Sequence, residues 1–550
     1  MTTAAELLVA CLEREGVDRV FCVPGESYLA TLDALARQNR IDLVGTRHES
    51  GAGFMAVADA KLTGRPGVAF VSRGPGATNA SIAVHTAEQD ATPLVLFIGQ
   101  VAREELGRGA FQEVDYSRMF GGMAKAVWTV MDGERLPEII ARAFQIATAG
   151  TPGPVVIVLP EDMQFDKVDA APIGPMPVTP TRAAAADLDR IADMIARAEK
   201  PLIIAGGKVA DAAGRAALLA AAEAWQVPVV TSFKRQDIFP NDNALYAGHM
   251  GFNIPKPQVE LVSEADLILA IGTRLGDTTT QGYVFPSIPP QQPLVHVYPD
   301  ANVVGRVFAA EVGLTADPVD VLNGLVPRAA TRTPPTGRGD WIARLGAYVD
   351  RLMGGAAEPA PDGINFGRVI EALVPHLADD AILVTDAGNF SSWVHKHIRM
   401  NGRQIMLGAV SGAMGMGVPA AVAAGLREPG RQVITFLGDG GAMMTGNELA
   451  TALSRRVPMK IFVSNNSAYG TIRLHQEKFF PGTVAGTDLV NPDFAAWGAA
   501  FGAKGLVLDD DDAVEQVVAE AMAHDGPVVV EVKASLERIS AFVSIADLKG

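Results

Sequence analysis

Short apolar runs alternate with stretches of helical spacing from one end of this chain to the other. Residues 67–71, 94–98 and 155–159 read as buried strands, as do 202–205, 267–271 and 294–297, and then 382–385, 433–437 and 459–463. Amphipathic stretches between them predict strand–helix–strand units and parallel sheets flanked by helices. Two Pro-, Ala- and Gly-rich stretches break the pattern, one at 169–181 and a looser one at 328–362, and both read as linkers. They cut blocks at 1–168, 182–328 and 362–550. The expected fold class is α/β, with three doubly wound parallel-sheet domains. One stretch, 405–426, carries no charge and is long enough to span a bilayer. It is rich in Gly, Ala and Ser, however, and contains Pro419; Gly412, Gly415 and Gly417 suit close backbone approach to a ligand. We read it as a ligand loop leading into a buried helix, with no membrane span.

Composition narrows the function classes. At 550 residues the chain suits about three domains of ordinary size. Its hydrophobic share of 48% and charged share of 20% are those of a globular protein and argue against disorder. A net charge of −16, with no basic arm, gives no support to nucleic-acid binding. Cys11 and Cys22 are the only cysteines, without metal-ligand spacing or enough partners for a disulfide framework, which points to a reducing cytoplasm. The first residues show no basic-then-apolar targeting pattern.

The chemistry concentrates at strand ends. The run 433–437 stops at Gly438-Asp439-Gly440, a helical stretch follows around 447–453, and the run 459–463 stops at Asn465-Asn466. In a strand–helix–strand unit both motifs fall at the carboxyl ends of neighbouring parallel strands, where open α/β sheets bind ligands. Asp439 offers a carboxylate, Asn466 an amide oxygen and the following turn a backbone carbonyl. Hard oxygens with room left for phosphates and water are how proteins hold Mg²⁺. Either motif alone reads more readily as a turn; the two together point to a metal–diphosphate site.

At these residues the chain resembles the thiamine-diphosphate enzymes of the pyruvate oxidase and acetohydroxyacid (acetolactate) synthase group, over nearly its whole length. The resemblance implies pyrimidine-binding, central and diphosphate-binding domains in that order. It makes Asp439, Asn466 and the Ala468 carbonyl the Mg²⁺ ligands, with Gly440, Gly441, Tyr469 and Gly470 beside the cofactor. Arg47-His48-Glu49-Ser50-Gly51-Ala52 matches the family segment holding an essential glutamate. Glu49 would bond the aminopyrimidine N1′ and promote the imino tautomer that removes the C2 proton, whereas His48 reads as structural. Gly74-Pro75-Gly76-Ala77-Thr78-Asn79 and Val23-Pro24-Gly25-Glu26 match turns near the pyrimidine, so Pro24 and Asn79 join the cofactor contacts. Asp386-Ala387-Gly388-Asn389 would cradle diphosphate, Gly412 would accept from the 4′-amino group, and Met414 would wedge the cofactor into a bent shape. Phe111, Gln112, Ile472 and His475 become candidates for substrate contact.

Two positions depart from the synthases: Glu26 stands where they carry glycine, and His475 where they carry tryptophan. Burial beside a substrate carboxylate would raise the Glu26 pKa and make it a proton donor, with Gln112 alongside as a catalytic candidate. The implied activity is decarboxylation of a 2-keto acid with transfer of the acyl-anion equivalent to a second carbonyl acceptor. A decarboxylase that releases an aldehyde is the alternative, and a catalytically silent assembly subunit is the alternative from another class. In the middle block, Ala205-Gly206-Gly207-Lys208, Gly248-His249-Met250-Gly251 and Gly272-Thr273-Arg274 echo places where relatives bind FAD, but the charges after Arg274 differ, which leaves FAD open. The resemblance also implies a homodimer or homotetramer.

Overall fold

The computed structural model describes residues 2–252 and 254–549 of the chain. Three sheets of six strands each form, and within each of them every pairing is parallel. The first runs Asp42–Gly45, Arg19–Cys22, Gly67–Val71, Leu94–Gln100, Pro154–Pro160, Ala126–Thr129 from edge to edge. The third runs Ile405–Leu407, Ile382–Thr385, Val433–Gly438, Lys460–Asn465, Val528–Lys533, Lys504–Leu508. Ranked by position in their own block, both follow the order 2-1-3-4-6-5. The middle sheet follows 3-2-1-4-5-6, from Tyr246–His249 through Pro201–Ala205 to Val312–Thr315. Central strands such as Val433–Gly438 are continuous apolar runs because helices cover both faces, as parallel sheets require.

The first linker reading agrees with the structure, which shows no helix or strand between Val168 and Ala185. The second needs correcting. Residues 328–362 contain the helix Arg338–Met353, which packs on the middle domain through buried Trp341, Leu345, Tyr348 and Val349. Trp341 Nε1 donates to the Pro201 carbonyl at 3.0 Å, and the Arg338 guanidinium donates to the carbonyls of Trp225, Ile195 and Ala198 at 2.5–2.6 Å. The uncharged stretch 405–426 forms a short strand, a loop and the helix Gly417–Arg427, whose residues 417–425 are buried. Among the described residues no helix is long and apolar enough to cross a membrane.

The first and third domains share one core. The helix Glu49–Thr63 lies against Gly417–Arg427, and both present Gly and Ala so that their backbones approach closely. Charge fixes the register. Arg427 makes bidentate bonds to Asp18 at 2.8–2.9 Å and to Asp59 at 2.7–2.9 Å, a geometry that adds specificity to attraction. Asp90, paired with buried Lys61, accepts from the Val410 and Ser411 N–H groups. The loop 408–416 of the third domain is thereby anchored on the first.

Candidate active site

In the third domain three adjacent strands, Ile382–Thr385, Val433–Gly438 and Lys460–Asn465, end side by side. Asp439 follows the second strand and is 2% exposed. Its Oδ2 and the Asn466 Oδ1 both accept from the Ala468 N–H at 3.2 Å, so the two candidate ligand oxygens converge on one point. Ser467, at φ +54°, supplies the left-handed turn that brings Ala468 back to them. Burial raises the Asp439 pKa; the N–H of Gly440, the Asn491 amide and the N–H groups of Ala468 and Ser467 oppose that rise. A buried carboxylate converging with an amide oxygen fits a hard divalent cation.

The neighbouring residues close around this point. A β-carbon on Gly470 would lie 2.9 Å from Asn389 Oδ1 and 3.1 Å from Asn466 Nδ2, and one on Gly441 would lie 2.7 Å from Asp386 Oδ2. Asn389 N–H donates to Thr471 Oγ1 at 3.0 Å. At Gly440 a β-carbon would sit 2.5 Å from the Tyr469 ring, so glycine lets that ring lie against the helix start, with the Met414 methyl 3.5 Å away in ordinary contact. Gly412 has φ +72°, a backbone state that favours glycine, and lies exposed on the rim. Gly388 lies in the turn after the strand Ile382–Thr385. Asp386 accepts from Gly415 N–H at 2.9–3.0 Å and so ties the Met414 loop to the strand end.

The second group lies in the first domain. Glu49 is the first residue of the helix Glu49–Thr63, yet it is not the cap. His48 Nδ1 accepts from Ser50 N–H at 3.2 Å and lies 2.7 Å from Ser50 Oγ, in keeping with its structural reading. Glu49 is left for other work: Oε2 accepts from Asn79 Nδ2 at 2.9 Å, and Oε1 lies 3.3 Å from where a β-carbon on Gly76 would stand. Buried Glu448 of the third domain accepts from the N–H groups of Arg47 and His48 at 2.9–3.2 Å, which holds the entrance to this helix. Pro24 and Glu26 lie on the turn after Arg19–Cys22, and Gln112 reaches the same region from its own loop. Among the described residues no hydrogen bond joins Glu26, Glu49, Asn79 or Gln112 to the third domain.

Glu26 is not buried in the chain: its side chain is 65% exposed and pairs with Arg73 at 2.6 Å. The short helical turn Glu26–Tyr28 sends Ser27 and Tyr28 inward and Glu26 outward. The substrate candidates are divided between domains. Phe111, 75% exposed, shares a loop with Gln112 in the first, whereas Ile472 and His475 lie on the helix Gly470–Phe479 of the third, the His475 ring stacked on Phe479.

Comparison with known proteins decides the family. The family described as thiamine pyrophosphate enzyme, N-terminal TPP binding domain, matches residues 2–119. Its central-domain counterpart matches 188–325 and its C-terminal TPP binding domain 386–532. The chain belongs to the thiamine pyrophosphate enzyme family. It is 32% identical to an acetolactate synthase large subunit from Parasynechococcus marenigrum, covering 96% of this chain and 87% of that protein. It is also 32% identical to the acetolactate synthase isozyme 1 large subunit of Escherichia coli, covering 97% and 94%, and 31% identical to isozyme 2 of the same organism, covering 96% and 95%.

Sequence reasoning missed several residues of this thiamine pyrophosphate enzyme. Asn491 Nδ2 bridges Asp439 Oδ2 at 2.8 Å and Asn465 Oδ1 at 2.9 Å, behind the proposed metal site. Lys234 of the middle domain is buried and donates to the carbonyls of Thr385 and Asp386 at 3.3 Å, beneath the turn that carries Gly388 and Asn389; burial pushes its ammonium pKa down to about 8. Gly440→Ala is expected to displace the Tyr469 ring and weaken cofactor binding by about 1–3 kcal/mol, with circular dichroism unchanged. Calorimetric affinity equal to that of the parent would remove Gly440 from the site.

Proposed function

We propose that this enzyme decarboxylates a short 2-keto acid and transfers the acyl-anion equivalent to a second carbonyl, with thiamine diphosphate held through Mg²⁺. The observation that carries the reading is the Glu49 carboxylate: His48 takes over the helix cap, and Asn79 orients Glu49 for proton work. Thiamine diphosphate, when bound, supplies the electron sink for decarboxylation. Asp439 and Asn466, with the Ala468 carbonyl, would hold the cation, and the Asn389 and Gly470 turns would receive the diphosphate. Met414 would shape the cofactor and Gly412 would accept its amino group. Phe111, Gln112, Ile472 and His475 would face the substrates. The middle-domain loops at 205–208, 248–251 and 272–274 would be the place for FAD, and the flavin absorbance of the purified enzyme tests whether it is carried there. Free, buried Cys11 and Cys22 support a reducing cytoplasm. A screen of 2-keto acids that measures both CO₂ and ligation products tests the reading; CO₂ with aldehyde alone would replace it by simple decarboxylation.

We also propose that the working unit is at least a homodimer, with Glu49 of one chain facing Asp439 of another. Exposed apolar residues flank both half-sites, Met443 (53%) and Met444 (47%) on the Asp439 helix and Ile82 (37%) on the helix carrying Asn79, and a two-fold partner would cover them. Mixing inactive Glu49→Gln and Asp439→Ala chains under subunit exchange should restore activity, because one of the hybrid's two sites would be intact. Full exchange without recovery would contradict a shared site.

A further inference from the structure

Arg73 sits at the centre of the first domain's half-site, and nothing in the family resemblance gives it a role. It is 8% exposed, and all three guanidinium nitrogens are engaged. Nη2 donates to Glu26 Oε1 at 2.6 Å, Nη1 to Glu161 Oε2 at 2.8 Å and Nε to Gln112 Oε1 at 3.3 Å. The Arg73 backbone N–H donates to Ser27 Oγ at 3.2 Å, which secures the turn behind Glu26. Arg73 also immediately precedes the helix Gly74–Gln89, which carries Asn79, the residue that orients Glu49. One buried cation therefore ties the Glu26 turn and the Gln112 loop to the element beside Glu49.

The consequence for Gln112 is chemical. A guanidinium only donates, so its partner on Gln112 is the amide oxygen, and the Nε2 group is turned away from Arg73. Gln112 holds φ +64°, a backbone state strained for a non-glycine residue that the surroundings must maintain. We propose that Arg73 is a positioning residue that presents Gln112 as a hydrogen-bond donor to a substrate carbonyl and Glu26, on the same rim, as an acceptor for the hydroxyl group of the ligation product. This rests on the carboligase reading above. Lysine cannot replace arginine here, because a single ammonium does not span three acceptors held in a planar fork.

The test is a mutant cycle on the full-length, cofactor-loaded enzyme, using Arg73→Met, Arg73→Lys, Glu26→Gln and each Arg73 variant combined with Glu26→Gln. Both Arg73 variants should lower kcat by about tenfold or more and shift the ratio of aldehyde to ligation product, because misplaced groups cost rate steeply. Exchange of the cofactor C2 proton, which reports on Glu49, should stay within about twofold of the parent. The doubles should be no worse than about threefold below the weaker single, since coupled residues are not additive. In the cofactor-free protein, hydrogen exchange of residues 107–114 should speed up in Arg73→Met. Multiplicative effects in the doubles, or a parental kcat and product ratio in Arg73→Lys, would overturn the proposal. If Arg73→Met fails to fold, the lysine cycle decides. A parent enzyme that releases no CO₂ from any 2-keto acid would instead sink the functional reading itself.

Discussion

Asp439→Ala is expected to lower thiamine diphosphate affinity by at least about 100-fold in the presence of Mg²⁺. The carboxylate is buried, and its Oδ2 meets Asn466 Oδ1 at the same N–H. A diphosphate brought to this point without a cation meets repulsion, whereas an ion between them attracts both. The same argument fixes the sign in chelator. There the variant has lost a repulsive charge together with a ligand, so it should bind the cofactor no more weakly than the parent does. The parent should therefore show a steep metal dependence and the variant almost none. Titration calorimetry with and without Mg²⁺ reads both results. Equal affinities in Mg²⁺, or a preserved metal dependence in the variant, would move the metal away from Asp439.

The place proposed for metal and diphosphate was legible as a pair of adjoining strand ends because that information is local. A strand must end where Gly438-Asp439-Gly440 and Asn465-Asn466 stand, and the parallel pairing of Gly438 with Ser464 sets those ends side by side. The common strand order of the first and third sheets was not legible, since order is set by pairings between distant segments and leaves no periodic trace. The helix Arg338–Met353 was legible and overlooked. Trp341, Leu345, Tyr348 and Val349 fall at i, i+4, i+7 and i+8, but the proline-rich flanks on both sides outweighed that stripe.

The first-domain half shows the opposite case. Glu49 was found through the segment around it, but its setting was not. Arg73 reaches Gln112 across 39 positions and Glu161 across 88, and Asn491 reaches Asp439 across 52. A polar residue recruited over such distances looks in sequence like any solvated side chain. Glu26 illustrates the cost: its chemistry was inferred from burial, while the structure gives it an ion pair and an outward-facing turn. Under the positioning proposed for Arg73, any influence of Glu26 on product choice would act through the geometry of that ion pair.

Glu49→Gln is expected to reduce turnover by about 100- to 10,000-fold, the range ascribed to a positioned acid–base group, while folding and cofactor binding persist. The helix should survive because His48 supplies its cap; the loss of a first-turn charge costs about 0.3–1 kcal/mol. The glutamine keeps an oxygen for the Asn79 amide, so the side chain should hold its place over Gly76. What disappears is the negative charge able to hold a proton on the cofactor's pyrimidine nitrogen. Transfer of the C2 proton to deuterated water, followed by NMR, isolates that step from every later one. The exchange rate should fall along with turnover, whereas calorimetry should find thiamine diphosphate affinity within about tenfold of the parent, a change of 1.4 kcal/mol. Parental exchange with lost turnover would place Glu49 in a later step, and lost binding would make it a cofactor anchor.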